Sequence, residues 1–389
     1  MSMTTVTTPP VDLAQIAAGY LSREQQVTRR IIICAGTGCM ANGAMKVHAA
    51  LTAAAAAEGL DLVIELREEG THDAYLSKSG CQGFCQMGPL VTVEPDGLLY
   101  CKVQPADAAE IIRGAFKDGK PVERLLYRHP ATGETHRGLG DIPFYTQQCR
   151  TVLAACGSMH PEDIQEYIAR GGYAAARKAV LEMTPDQVVK DIMDSGLRGR
   201  GGGGFPTGRK WSVAAAQPEG KKYIVCNGDE GDPGAFMDRS LMEGNPHSVI
   251  EGMMIAARAI GADEGYVYVR AEYPLAVQRV LRAVADAETA GLLGDNLFGS
   301  TFSFRLNVME GAGAFVCGEE TALLASIEGR RGMPMPKPPF PAVSGLWGKP
   351  TIINNVETLS TVPQILLHGV EAFRKFGTPD SPGTKTFAL

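Results

Sequence analysis

The run Gly196-Leu-Arg-Gly-Arg-Gly-Gly-Gly-Gly-Phe-Pro-Thr-Gly208, with Arg209, Lys210 and Trp211 behind it, packs more glycine around cations than a structural turn needs. Glycine lets backbone N–H groups approach a ligand with no Cβ in the way. Arg198, Arg200 and Lys210 can neutralise phosphate charge, and Phe205 can stack on a planar ring. The composition therefore predicts a cradle for a phosphate and a ring. A flexible linker is the plainer alternative, but linkers carry Ser and Asn in place of Phe, Trp and cations. The run fits the G-x-G-x-x-G dinucleotide pattern only trivially, and no clear strand precedes it, so an ordinary Rossmann loop is not expected.

Cysteines form the second constellation. Cys34 and Cys39 are spaced C-x4-C after a strand, and Cys81 and Cys85 are spaced C-x3-C in a glycine-flanked loop. Four thiolates in two loops can hold a [2Fe-2S] cluster, with Gly36, Gly38, Gly80, Gly83 and Gly88 turning backbone N–H groups toward its sulfurs. Structural zinc is the competitor, although zinc favours C-x2-C knuckles. Cys101 reads as a strand residue, and Cys149 and Cys156 as two thiols with no other ligand nearby.

Three more segments accompany the glycine run. Tyr223-Ile-Val-Cys-Asn-Gly-Asp-Glu-Gly-Asp-Pro-Gly-Ala-Phe236 leaves a strand and sets Asn227, Asp229, Glu230 and Asp232 in a turn, where they suit sugar hydroxyls or ring N–H groups. A solvated acidic turn or calcium loop is the alternative, with poor EF-hand spacing. Gly311-Ala-Gly-Ala-Phe-Val-Cys-Gly-Glu-Glu-Thr-Ala-Leu323 opens a helix whose first turn carries Glu319 and Glu320, which are also ordinary dipole complements. In Thr351-Ile-Ile-Asn-Asn-Val-Glu-Thr358, the Asn pair and Thr358 can donate to phosphate, or one Asn can cap a helix.

These residues need elements to hold them. An N-terminal arm (1–27) precedes an α/β unit over 28–119, with strands Arg30 to Cys34, Leu62 to Leu66, Leu90 to Val93 and Leu98 to Val103, and helices Asn42 to Glu58 and Asp107 to Phe116. Residues 120–160 read as a linker or docking strap. From 161 to 389, helices Ile164 to Met183 and Thr184 to Ser195 lead into alternating elements. These are strand Lys222 to Cys226, helix His247 to Ile260, strand Gly265 to Val269, helix Pro274 to Ala290, strand Phe302 to Val308, and helices Glu319 to Glu328 and Val356 to His368. The alternation predicts an α/β sandwich.

The chain has 389 residues, 44% of them hydrophobic, enough for two or three globular domains. Its net charge of -6 offers no basic stripe, which argues against nucleic-acid partners. No apolar run approaches the roughly 20 residues of a membrane helix, and Met1 to Gln26 lacks the order of a signal peptide. A cytoplasmic protein without direct membrane insertion is expected, whose nine cysteines are reduced thiols or metal ligands rather than disulfides.

The quartet, over about Thr28 to Phe116, resembles the thioredoxin-like [2Fe-2S] ferredoxins, which include the 24-kDa-type subunit of respiratory complex I. The glycine run and the three other segments, from about Met159 to Leu389, resemble the 51-kDa-type flavin subunit shared by complex I, NAD(P)-linked hydrogenases and formate dehydrogenases. Fused, the two look like the diaphorase subunit of multisubunit, often electron-bifurcating, hydrogenases. The resemblance implies an α/β fold, a thioredoxin-like domain followed by a Rossmann-like FMN-binding sandwich. It implies that Cys34, Cys39, Cys81 and Cys85 hold the cluster. It assigns FMN to Gly199, Arg200, Gly201, Lys210, Asn227, Asp229, Glu230, Phe315, Gly318, Glu319, Ile353, Asn354, Asn355 and Thr358. The nicotinamide nucleotide, NAD(H) or NADP(H), falls to Phe205, Asp232, Glu320, Lys337 and Phe340.

Phe315 stands where the family has tyrosine, Asp232 where it has glutamate, and Val213 where it has an aromatic, which leaves NADH and NADPH both open. Relatives continue into a ubiquitin-like domain and a helical domain with a [4Fe-4S] cluster. The end at Leu389 is therefore read as a truncation, or as a sign that the relay sits on another chain. The implied reaction is reversible hydride transfer between nicotinamide C4 and flavin N5, with no essential side-chain acid or base and with Glu230 tuning the flavin. Implied partners are the iron–sulfur and catalytic subunits of a hydrogenase or formate dehydrogenase, with ferredoxin a further candidate. The competing expectation is a flavin-free scaffold subunit that keeps the fold.

Overall fold

The structure, a computed structural model, describes residues 10–389. Two compact units are formed, residues 15–169 with 243–245, and residues 10–14, 170–242 and 246–389.

The N-terminal unit is built on β1 (Val27–Cys34), whose Ile31, Ile32 and Ile33 are buried on both faces of the sheet. With β2 (Leu62–Val63), β3 (His72–Ser79), β4 (Val91–Glu94) and β5 (Leu98–Tyr100), the order is β2-β3-β1-β4-β5. β3 runs parallel to β1 and β4 antiparallel. Helix α1 (Ala44–Ala57) covers this core with Ala44, Val47, Leu51 and Ala55, a helical stripe.

The sequence reading missed two elements here. Residues expected as an arm include a helix, Leu13–Gln25, whose Tyr20 packs with Leu66 and Tyr75. The long parallel partner of β1 is β3; the strand expected to reach Leu66 stops at Val63. The expected connector contributes Leu125, Leu126, Tyr127, Ile142 and Tyr145 to the same core as Ile111 and Val103.

In the second unit, β6 (Tyr223–Gly228), β7 (Glu264–Arg270), β8 (Arg305–Gly311) and β9 (Thr351–Asn355) form a parallel sheet ordered β8-β7-β6-β9. In chain order this is 3-2-1-4, so β6 and β9 flank the point where the winding reverses. Helices α2 (Pro185–Ser195), α3 (Thr207–Ala215), α4 (Pro246–Ile260), α5 (Pro274–Thr289), α6 (Glu320–Ile327) and α7 (Val356–His368) surround the sheet. Every residue of α4 except Arg258 is buried. At Gly252, a Cβ would stand 2.1 Å from the Leu359 carbonyl, so only glycine lets α4 approach α7. The helix expected over 164–183 breaks into Ile164–Ala169 and Ala174–Leu181, with Gly171 and Tyr173 at positive φ between them. Among the described residues, no helix is long and apolar enough to cross a membrane.

Candidate functional site

Ligands of open parallel sheets sit beyond the carboxyl ends of the strands where the winding reverses. A cleft of about 730 Å³ opens there, between Asn227 of β6 and Ile353, Asn354 and Asn355 of β9. That volume is in the range of cofactor sites. Gly199, Gly201, Gly203 and Gly204 line one wall, continued by Phe205, Arg209, Lys210 and Val213. Gly318, Glu319, Glu320 and the segment Phe340–Val343 complete the lining.

The glycine loop is held by its own backbone. Gly196 closes α2 at φ 69°, Gly199 N–H donates to the Phe205 carbonyl at 2.9 Å, and Thr207 N–H donates to the Leu197 carbonyl at 2.8 Å. Gly202 and Gly204 adopt φ of 105° and 60°, and a Cβ on Gly202, Gly203 or Gly204 would meet nothing, so this backbone is bare. Thr358, in the first turn of α7, accepts the Arg200 N–H through Oγ1 at 2.9 Å.

Polar groups around the cleft are tied to one another. Lys210 Nζ donates to the Ile353 carbonyl at 2.9 Å and lies 3.9 Å from Glu320, and burial lowers its pKa. Asn354 Oδ1 accepts from Trp211 Nε1, and Asn227 Nδ2 donates to the Gly318 carbonyl. Asn355 is the helix cap: its Oδ1 accepts from Glu357 and Thr358 N–H, while Nδ2 donates to Asp238. Glu319 caps α6 through Thr321 and Ala322 N–H; burial works to raise its pKa, and these bonds with Lys337 outweigh it and hold it low. Lys337 bonds both Glu319, at 3.1 Å, and Glu320, at 2.5 Å.

Several expected site residues direct their side chains elsewhere than into the cleft. Arg200 turns its guanidinium away from the cleft, to the carbonyls of Pro382 and Thr384 and to the buried Glu357 at 3.8 Å. Arg198 braces the loop by donating to the Gly204 carbonyl. Lys210 and Arg209 are left as the cations of the lining, and Arg209, like Gly203, Gly204, Thr351 and Pro341–Val343, carried no ligand assignment of its own in the sequence. Arg209 and Val213 share a helix face one turn beyond Phe205, a spacing that marks them. Glu230 does not line the cleft. Its carboxylate accepts three N–H groups, from Met237, Asp238 and Arg239, at the start of the next helix. Burial still raises its pKa against those bonds. Phe315 is 72% exposed and packs against Gly231, and Asp232 binds its own turn through Gly234 N–H. Asp229 is buried beside Gly318, 3.6 Å from Arg270, and its Oδ1 has no hydrogen-bond partner. Cleft volume, bare glycine backbone and a half-buried lysine suit a planar ligand bearing a phosphate.

The four thiols gather at the ends of β1 and β3. Cys81 and Cys85 sulfurs are 3.4 Å apart, Cys34 neighbours both Cys39 and Cys81, and none is in a disulfide. Hydrogen bonding with Cys39 leads the effects that push the Cys34 thiol up to about 12. Glycines make the room: a Cβ at Gly88 would stand 2.6 Å from Cys39 Sγ, and one at Gly36 2.7 Å from Cys81 Cβ. Gly83 N–H donates to Cys81 Sγ at 3.3 Å. Among the described residues, no three His, Cys, Asp or Glu form a group suited to one metal ion. The donor set and the glycine cradle fit a [2Fe-2S] cluster.

These sites define a class: a flavin cleft on a doubly wound sheet, in one chain with a thiol-lined ferredoxin unit. Residues 192–364 match the Nuo51 FMN-binding domain family, and residues 4–115 match the thioredoxin-like [2Fe-2S] ferredoxins. The chain is 56% identical over 243 residues to the NADP-reducing hydrogenase subunit HndC of Solidesulfovibrio fructosivorans, covering 62% of this chain and 49% of that protein. It is 52% identical over 226 residues to a component of the NADH-quinone oxidoreductase of Rhizobium meliloti, covering 58% of this chain and 54% of that protein. The chain thus spans about half the length of these curated relatives. Among solved structures, a NAD+-reducing [NiFe]-hydrogenase in the air-oxidized state matches with a TM-score of 0.52 at 28% identity, over 95% of this chain and 58% of that one.

Proposed function

We propose that this chain is the NAD(P)H-oxidising flavin subunit of a larger cytoplasmic hydrogenase-like or complex I-like enzyme. It passes electrons between a nicotinamide nucleotide, FMN and iron–sulfur clusters. The observation that carries this reading is the bare glycine cradle at the strand switch point, in one chain with a four-thiol quartet. FMN, when bound, supplies a ring that takes electrons in pairs from the nucleotide and releases them singly to clusters.

The chain's own residues bind and orient. Gly201, Gly203 and Gly204 N–H groups and Lys210 hold a phosphate, while Asn227 meets a polar edge of the ligand. Phe205, Val213, Phe340 and Val343 give the outer cleft an apolar surface on which a base stacks and from which water is displaced. Lys337 holds Glu319 and Glu320 together at the mouth. No side chain has to move a proton; orientation of the two rings is the protein's contribution. Cys34, Cys39, Cys81 and Cys85 hold the [2Fe-2S] cluster.

The names of the relatives support hydrogenase or quinone-reductase subunits as partners. The test is an anaerobic titration of the FMN- and iron-reconstituted chain with NADH and NADPH separately. Bleaching of the flavin band with a [2Fe-2S] EPR signal is expected; an FMN-loaded chain that neither nucleotide reduces would refute the proposal.

A further inference from the structure

We propose that Glu243 is a positioning residue for the cysteine quartet, and that its carboxylate holds the reduction potential of the bound cluster low. Glu243 lies some two hundred residues beyond the first cysteine loop in sequence, yet residues 243–245 belong to the N-terminal unit. Its side chain is almost wholly buried, at 1% exposure. Oε2 accepts the Thr37 N–H at 3.0 Å, and Oε1 accepts the Thr37 hydroxyl at 2.5 Å. Thr37 opens the helical turn Thr37–Ala41 that carries Cys39, in the loop joining Cys34 to Cys39. Both oxygens of one carboxylate therefore grip the backbone and side chain of the first cysteine loop.

The second loop is braced by the adjoining residue. A Cβ at Gly80, next to Cys81, would come 2.2 Å from the Gly244 Cα, so the two backbones are in contact. Gly244 is backed in turn by Cys156, whose sulfur would be 2.5 Å from a Cβ there. One short segment thus touches both loops, and it fixes the first with an acidic group whose two oxygens each accept one Thr37 donor. Reduction adds an electron to an already anionic thiolate cluster, and a buried carboxylate beside it opposes that step.

The inference rests on the cluster half of the proposed function and not on its nucleotide chemistry. The experiment uses the full chain, reconstituted with FMN and iron. Cluster potential is read by EPR during titration with dithionite, and cluster lifetime by iron release to a chelator. Glu243→Gln keeps the shape and is expected to shift the midpoint to a more positive potential with flavin content unchanged. Thr37→Val removes the hydroxyl bond and is expected to release iron severalfold faster, while Thr37→Ser retains the original lifetime. A Glu243→Gln midpoint equal to that of the unmodified chain overturns the tuning role, and an unchanged lifetime in Thr37→Val overturns the positioning role. An unmodified chain that shows the cluster signal but is not reduced by NADH or NADPH refutes the catalytic reading and leaves this inference standing. One with no cluster signal refutes both.

Discussion

Asp229 should carry a measurable electrostatic cost in the flavin-free chain. Its side chain is 3% exposed, its nearest cation is Arg270 Nε at 3.6 Å, and burial pushes its pKa from 3.8 up to about 6. In the folded protein the carboxyl keeps its proton to about pH 6, whereas the unfolded chain loses it at 3.8, so unfolding in between releases a proton and rising pH favours the unfolded state. Each tenfold difference in proton affinity is about 1.4 kcal/mol. The cost is then at most about 3 kcal/mol at about pH 7.5 and about 1.6 kcal/mol at about pH 5. Asp229→Asn removes the titration. Its stability relative to the unmodified chain should improve by about 1.4 kcal/mol between those two pH values, whatever constant offset the amide introduces. Trp211 and Trp347 both lie in the second unit, so urea unfolding followed by tryptophan fluorescence reports on the relevant fold. Equal pH slopes for the two proteins, or an opposite one, would refute the reasoning.

Two further outcomes are expected. Glu230→Gln should cost about 1–3 kcal/mol in urea unfolding, because an amide replaces an ionic acceptor of three backbone N–H groups, and should leave the flavin midpoint unchanged; a shifted midpoint would return Glu230 to a flavin-tuning role. Gly201→Val should abolish FMN binding in a fluorescence-quenching titration, since even a Cβ would stand 3.2 Å from Asn355 Cβ in the cleft wall, and retained affinity would remove the glycine wall from the site.

Both chemical constellations were legible in the sequence because they are local. Cys34 with Cys39, and Cys81 with Cys85, lie within one or two turns of chain, while their flanking glycines Gly36 and Gly88 make room for cysteines of the opposite loop. Alternating apolar strands and helices likewise announce a parallel α/β sheet, since buried strands and amphipathic helices have distinct periods. Strand β3 was missed because its burial comes from Ile31 to Ile33 on a distant neighbour and not from any pattern of its own.

Side-chain direction was decided by tertiary structure. Arg200 sits in the cradle by sequence, but carbonyls at Pro382 and Thr384 and the buried Glu357 take its guanidinium. Glu230 sits in an acidic turn by sequence, but the free N–H groups of the helix starting at Met237 take its carboxylate. Glu243 belongs to no motif, and its place against Thr37 exists only once the chain has folded back on the cysteine unit. A charged group goes where burial leaves unsatisfied partners, and those partners lie anywhere in the chain. The sequence by itself therefore determined which residue types gather at the cleft and the thiol quartet, and only the tertiary structure decided which charges line the cleft and which hold the frame.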